Sequence, residues 1–156
     1  MQIVSKEPLM KRILFVGLLV LVALGVSGQD WQLQPTYGEV SLTSGFQPDP
    51  FRRDVVAGGS INISQLGYYG YVADAPDFDL RYVPAGYRLT IKVENTSADT
   101  LLLINAPDGQ WHFNDDSNGL DPAISFDAPL EGLYDIWIGS YDGNFSEATL
   151  VITEMD

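Results

Sequence analysis

The chain has 156 residues, with 8 Lys+Arg against 21 Asp+Glu, one His, no Cys and a formal net charge of -13. That length suits one domain, and 46% hydrophobic residues exclude a wholly disordered chain. The lack of Cys excludes a disulfide scaffold, a thiolate metal site and a Cys nucleophile. The acid excess makes nucleic acid a poor partner, because neutralising phosphates takes clustered Lys and Arg.

Residues 1–28 read as a secretory signal. Lys11 and Arg12 give a basic start, Ile13 to Val26 form an unbroken apolar run, and small residues follow at Ser27 and Gly28. The run has 14 residues, whereas crossing a bilayer takes about 20, so the expectation is a cleaved signal helix with no membrane span after its removal. Met10 is an alternative start. Removing residues 1–28 takes away three basic side chains and one acidic one, which moves the formal net charge to -15. A chain that leaves the cytoplasm without disulfides must hold itself together by core packing, a metal or both.

After the signal, residues 29–50 read as an irregular leader with one strand, Glu39–Leu42, and a Pro-flanked loop, Gln47-Pro48-Asp49-Pro50. The body, residues 51–156, contains no helix-length amphipathic stretch. Its short apolar or alternating runs predict strands at Arg53–Ala57, Tyr69–Val72, Asp79–Val83, Leu89–Glu94, Thr100–Asn105, Gln110–Phe113, Ala123–Phe126, Gly132–Ser140 and Ala148–Thr153. Gly58-Gly59-Ser60, Pro84-Ala85-Gly86 and Ala106-Pro107-Asp108-Gly109 are turns between them. About ten short strands at this spacing imply an all-β fold, an antiparallel β-sandwich of jelly-roll type. In Gly132–Ser140, Tyr134, Ile136 and Ile138 make the better core face, since Asp135 on the other face is expensive to bury unpaired. Trp137 shares the face of Asp135 and is therefore expected to be partly exposed. Thr100–Ile104 is apolar almost throughout, which suggests a strand covered on both sides.

Asp99–Leu103, Pro107-Asp108-Gly109, Asn114–Ser117, Leu120–Phe126, Ala128-Pro129 and Gly132–Gly139 follow one another in an order and spacing that resemble the bacterial pre-peptidase C-terminal domain. The resemblance covers Ala98–Thr153. It implies a small β-sandwich accessory module related to collagen-binding domains, non-catalytic, often beside a secreted peptidase and often calcium-associated. With no peptidase in this sequence, the expected module works alone or with another chain.

Asn114-Asp115-Asp116-Ser117-Asn118-Gly119-Leu120-Asp121 offers three carboxylates and two amide carbonyls. Hard oxygen ligands suit Ca²⁺ rather than zinc, so Asn114, Asp115, Asp116 and Asp121 are candidate ligands, with Asp77 and Asp79 as completing groups from a neighbouring loop. The plainer alternative is an ordinary turn at Asn118-Gly119 with its carboxylates splayed. Trp137, Tyr69, Tyr71, Trp111 and Tyr141 are candidate partner-binding rings, because Tyr and Trp are favoured interface anchors. Tyr68, Tyr69 and Tyr71 cannot easily all point inward, so at least one should be exposed. His112 lacks a second His and any nucleophile motif, which argues against an enzyme. The function expected is a secreted or periplasmic binding module, Ca²⁺-stabilised, that meets an extracellular protein or polysaccharide. The alternative is a structural subunit or an accessory chain of a secreted peptidase.

Overall fold

The computed structural model describes residues 29–155; the expected signal segment, residues 1–28, lies outside the described residues. Eleven strands follow in chain order: β1 (Glu39–Thr43), β2 (Phe51–Ala57), β3 (Ile61–Asn62), β4 (Tyr71–Val72), β5 (Phe78–Val83), β6 (Leu89–Glu94), β7 (Thr100–Asn105), β8 (Trp111–Asn114), β9 (Ala123–Phe126), β10 (Gly132–Ser140) and β11 (Ser146–Thr153). A single 3₁₀ turn, Ser64–Leu66, lies between β3 and β4. Among the described residues no helix is long and apolar enough to cross a membrane.

Two sheets face each other. The smaller runs β2-β11-β6-β9, and the larger runs β1-β5-β10-β7-β8, with β4 and then β3 attached beside β10. Setting β2-β11-β6-β9 against β5-β10-β7-β8 gives the eight-strand winding of a jelly roll. The chain thus forms the all-β sandwich that its turn spacing implies. One pair departs from the antiparallel rule: β1 lies parallel to β5, with Glu39 opposite Asp79 and Val40 opposite Leu80. The leader is therefore part of the sheet, and Tyr37, Val40 and Leu42 pack against the core.

Alternation decides what each strand buries. Leu89, Ile91 and Val93 of β6, Leu102 and Ile104 of β7, Tyr134, Ile136 and Ile138 of β10, and Leu150 and Ile152 of β11 all enter one core between the sheets. The opposite face of the larger sheet is also covered in part. Ile63, Val72, Leu101, Leu103 and Trp137 form a second apolar cluster, with Ile61, Leu66, Tyr68, Trp111 and Phe113 packed against it. Its cover is the excursion from Gly58 to Asp77, which folds β3, the 3₁₀ turn and β4 back onto the sheet. Close approach there requires glycine. A Cβ on Gly139 would stand 2.2 Å from the Tyr71 carbonyl oxygen, and one on Gly59 would stand 2.0 Å from the Val72 carbonyl carbon.

This excursion corrects the expectation for Trp137. The ring is fully buried, its centroid 5.4 Å from that of Trp111, and its indole N–H donates to the Asp74 carbonyl at 3.4 Å. It cannot touch a partner. The expected Tyr69–Val72 strand shortens to Tyr71–Val72, because Gly70 takes a left-handed φ of 112° and turns Tyr69 into a loop.

Replacing Trp137 by Ala removes a fully enclosed indole and should cost about 3–5 kcal/mol in denaturant unfolding. Tyr69→Ala, at a ring 75% exposed, should stay within about 0.5 kcal/mol.

Candidate functional site

At the end of the sandwich where β10 finishes, two segments, residues 69–71 and 141–145, bring aromatic rings together. The turn Tyr141–Asn144 sits at the centre. Tyr141 N–H donates to the Asp99 carbonyl at 3.0 Å, Ser140 Oγ donates to the Asn144 carbonyl at 2.7 Å, and Asp142 Oδ1 accepts the Asn144 N–H at 3.0 Å. The same Asn144 amide holds the Asp142 carboxyl below its usual range. Gly143 lies against the Tyr71 ring, Gly70 against the Tyr141 backbone, and Gly58 against the Phe145 ring. Tyr69, Tyr141 and Phe145 are 75%, 54% and 74% exposed, while Tyr71 is half-buried. Tyr69 and Tyr71, from one segment, thus lie at the same end of the sandwich as Tyr141. The structure adds Phe145, which the sequence reading missed; its only signal is its place next to the Asp142-Gly143-Asn144 turn.

The same end is acidic. Asp99 is held above its usual range by partial burial and then by the negative charges of Asp116, Asp115 and Asp142. These four carboxylates share one electrostatic field, and Asp99 and Asp142 were not among the expected ligands. The rest of the Asn114–Asp121 loop is closed by its own bonds. Asn114 Oδ1 accepts the Ala123 N–H at 2.9 Å, and the Asp121 carbonyl accepts from both Ser117 and Asn118 at 3.1 Å. Asp121 borders, with Lys92 and Glu94, a separate cavity of about 120 Å³. Among the described residues no three carboxylate or imidazole groups stand close enough together to hold a metal ion.

Asp77 and Asp79 do not reach this loop. Asp79 pairs across the strands with Asp135, whereas Asn114 pairs with Leu102, itself opposite Ile138. The offset is about 10 Å along the strands and three strand spacings, about 14 Å, across them. Asp77 has a structural partner instead: its buried carboxylate Oδ2 accepts the Ile138 N–H at 2.7 Å. Burial raises its pKa to about 7, against the lowering effect of that N–H.

Asp135 is only 3% exposed and Asp79 8%, which corrects the expectation of an exposed face at Asp135. Burial, helped by the negative neighbours Glu39 for Asp79 and Asp79 for Asp135, pushes both up to about 6; Arg81 pulls each part of the way back. Directly opposed carboxylates about 5 Å apart, if both are charged, repel by about 3 kcal/mol at an effective dielectric near 20. With both pKa values pushed up to about 6, protonation relieves that repulsion only below that pH.

Trp111 lies away from the aromatic end, half-buried over Trp137. His112 packs its ring edge-on against Phe126, with centroids 4.9 Å apart.

No protein-family model matches the chain, and no curated protein matches it. Among solved structures the chain is similar to PliG of Aeromonas hydrophila, a periplasmic lysozyme inhibitor of g-type lysozyme. The identity is 15% and the TM-score 0.39, over 74% of this chain and 96% of that one.

The raised acids set a pH dependence of stability. Asp77, Asp79 and Asp135 bind protons more tightly in the folded state, so their contribution is greatest below the unfolded value near 4 and is lost as pH rises to about 7. The groups held low, Glu94, Asp142 and Glu154, act below that window. Melting temperature at fixed ionic strength should therefore fall by several degrees between pH 5 and pH 8. At pH 5, Asp77→Ala leaves the Ile138 N–H without an acceptor and should cost about 1–3 kcal/mol. Asp77→Asn keeps an acceptor, so it should cost less and flatten the pH profile.

Proposed function

We propose that this chain is an exported, non-catalytic binding module whose aromatic and acidic loop end docks on a basic surface of a protein partner. The observation that carries the reading is the gathering of Tyr69, Tyr141 and Phe145, all exposed, around one turn beside Asp99, Asp115, Asp116 and Asp142. Large exposed rings provide contact area at low entropic cost, and the charges around them favour a positive partner over a neutral glycan. The apolar run and its basic flank support export. The packing of His112 against Phe126 supports a non-catalytic role. The resemblance to the pre-peptidase C-terminal domain belongs to the same proposal, since it describes an accessory module.

The test places a photoreactive phenylalanine at position 145, and separately at Tyr87, which is exposed at the opposite end of β6. In the protein made with its leader in its own host, position 145 should cross-link to a protein and position 87 should not. Cross-linking at neither site, or equally at both, would overturn the reading. The captured complex should weaken several-fold between low and physiological salt, because exposed charges are screened over about 8 Å there.

Calcium belongs to this proposal as a ligand that draws Asp115 and Asp116 toward Asp99 and Asp142. Binding would have to move the two turns, since no three carboxylates converge among the described residues. At about 100 times its dissociation constant, Ca²⁺ should stabilise the fold by about 2.7 kcal/mol. Superimposable melting curves in EDTA and in millimolar Ca²⁺ would remove the ion from the account.

A further inference from the structure

We propose that the outer face of the larger sheet holds a second binding site, a groove that receives the guanidinium of an arginine side chain from a polypeptide partner against Asp135, between Trp31 and Trp111, with Asp79 behind it on the next strand. The site is written in the strand register. Glu39, Asp79, Asp135, Asn105 and Trp111 form one row straight across β1, β5, β10, β7 and β8. Directly paired residues project from the same face, so the row sets three carboxylates, an amide and an indole side by side.

A groove of about 450 Å³ lies at this row, lined by Trp31, Asn105, Trp111, Glu131, Leu133 and Asp135 among others. Asp135 is nine-tenths buried and more, and its Oδ1 has no hydrogen-bond partner; the Oδ1 of Asp79 beside it has none either. Buried polar atoms are almost always paired, so two unpaired oxygens on neighbouring carboxylates mark a place for a donor. Arg81, two residues along β5 on the same face, acts on both acids through its charge but makes its ion pair with Glu39, at 3.7 Å, and leaves the two oxygens without a hydrogen bond.

The donor that fits is planar and forked. A guanidinium presents parallel N–H groups to carboxylate oxygens and stacks its face on indole, whereas an ammonium is a strongly hydrated point charge. Trp31 and Trp111 supply the aromatic walls, which attract cations over their faces. A divalent metal is less suited, because among the described residues no three acids converge on one point. The charged groups facing the pair are Glu39 on β1, Arg81 on β5 and Glu131 at the rim. Two of the three are negative, so the local field also favours a cation once the pair ionises.

This site lies about 17 Å along β10 from the aromatic end, five residues at strand rise, and uses none of its residues. Either proposal can fail alone. The test titrates the purified protein with acetyl-Gly-Arg-Gly-amide and with its citrulline isostere, followed by calorimetry and tryptophan fluorescence at pH 8 and pH 5. The arginine peptide should bind with a fluorescence change, more tightly at pH 8, and the uncharged isostere should not. Asp135→Asn, which relieves a buried charge and should fold with an unchanged or higher melting temperature, should weaken binding at least about tenfold. Trp31→Ala, at an exposed ring, should weaken it several-fold. Asp127→Asn, an equal change of net charge at the exposed partner of Arg88, should leave it unaltered. Equal binding of the two peptides, no binding of either, or an Asp135→Asn variant that behaves like Asp127→Asn would each overturn the site.

Discussion

One carboxylate fills the break in the ladder of the larger sheet. On one side of β10 the neighbour is β5 up to Ile136 and β4 only at Ser140, so the Ile138 N–H between them faces no strand. Asp77 Oδ2 takes it, while the Ile138 carbonyl accepts the Gly58 N–H from the end of β2. The two bonds pin both ends of the Gly58–Asp77 excursion to β10. That excursion in turn buries Trp137 and the second apolar cluster. The bonds act together with the apolar packing and the β4 pairing that hold this cover on the outer face. An acid does this work because a short side chain with free lone pairs can substitute for a backbone carbonyl where the chain has turned away.

Three raised acids close together cost stability at neutral pH, and their placement separates two reasons for keeping them. Asp77 holds a hydrogen bond that the fold needs, and its cost is offset by an otherwise orphaned amide. Asp79 and Asp135 offset nothing comparable, since each has a buried oxygen without a partner. Replacing a buried charge by a packed apolar group is often neutral or stabilising, so packing alone gives no reason for this pair. A ligand that binds the ionised form does.

Much of the fold is legible in local pattern. Leu89–Glu94 alternates as a half-buried strand does, and the unbroken run Leu101–Ile104 announces two-sided cover, which the structure supplies. What local pattern cannot carry is the identity of that cover. The stretch from Ser60 to Gly70 has no sustained period; β3 is two residues long and its neighbour is a 3₁₀ turn. Trp137 therefore reads as part of an exposed face when it lies beneath a segment far away in sequence. The site is legible to a similar degree. Tyr69, Tyr71 and Tyr141 stand out by ring density, but Asp99 matters only because the fold sets it within the field of Asp116, Asp115 and Asp142. Asp79 meets Asp135 only through register.

The two surfaces differ in how well they are held, and that difference bears on how each could recognise a partner. The aromatic end rests on turns, where rings and carboxylates can adjust to a surface and where most of the energy of contact comes from covering exposed rings. The Asp135 row rests on five hydrogen-bonded strands, so its geometry is set before any ligand arrives and little ordering entropy remains to be lost on binding. Both surfaces carry the same sign, within a chain whose net charge is -13. A basic partner is therefore drawn toward either surface by the whole field, which raises encounter rates. Selectivity then comes from short range: the loop end rewards area, whereas the groove rewards one planar cation whose donors match oxygens already in position.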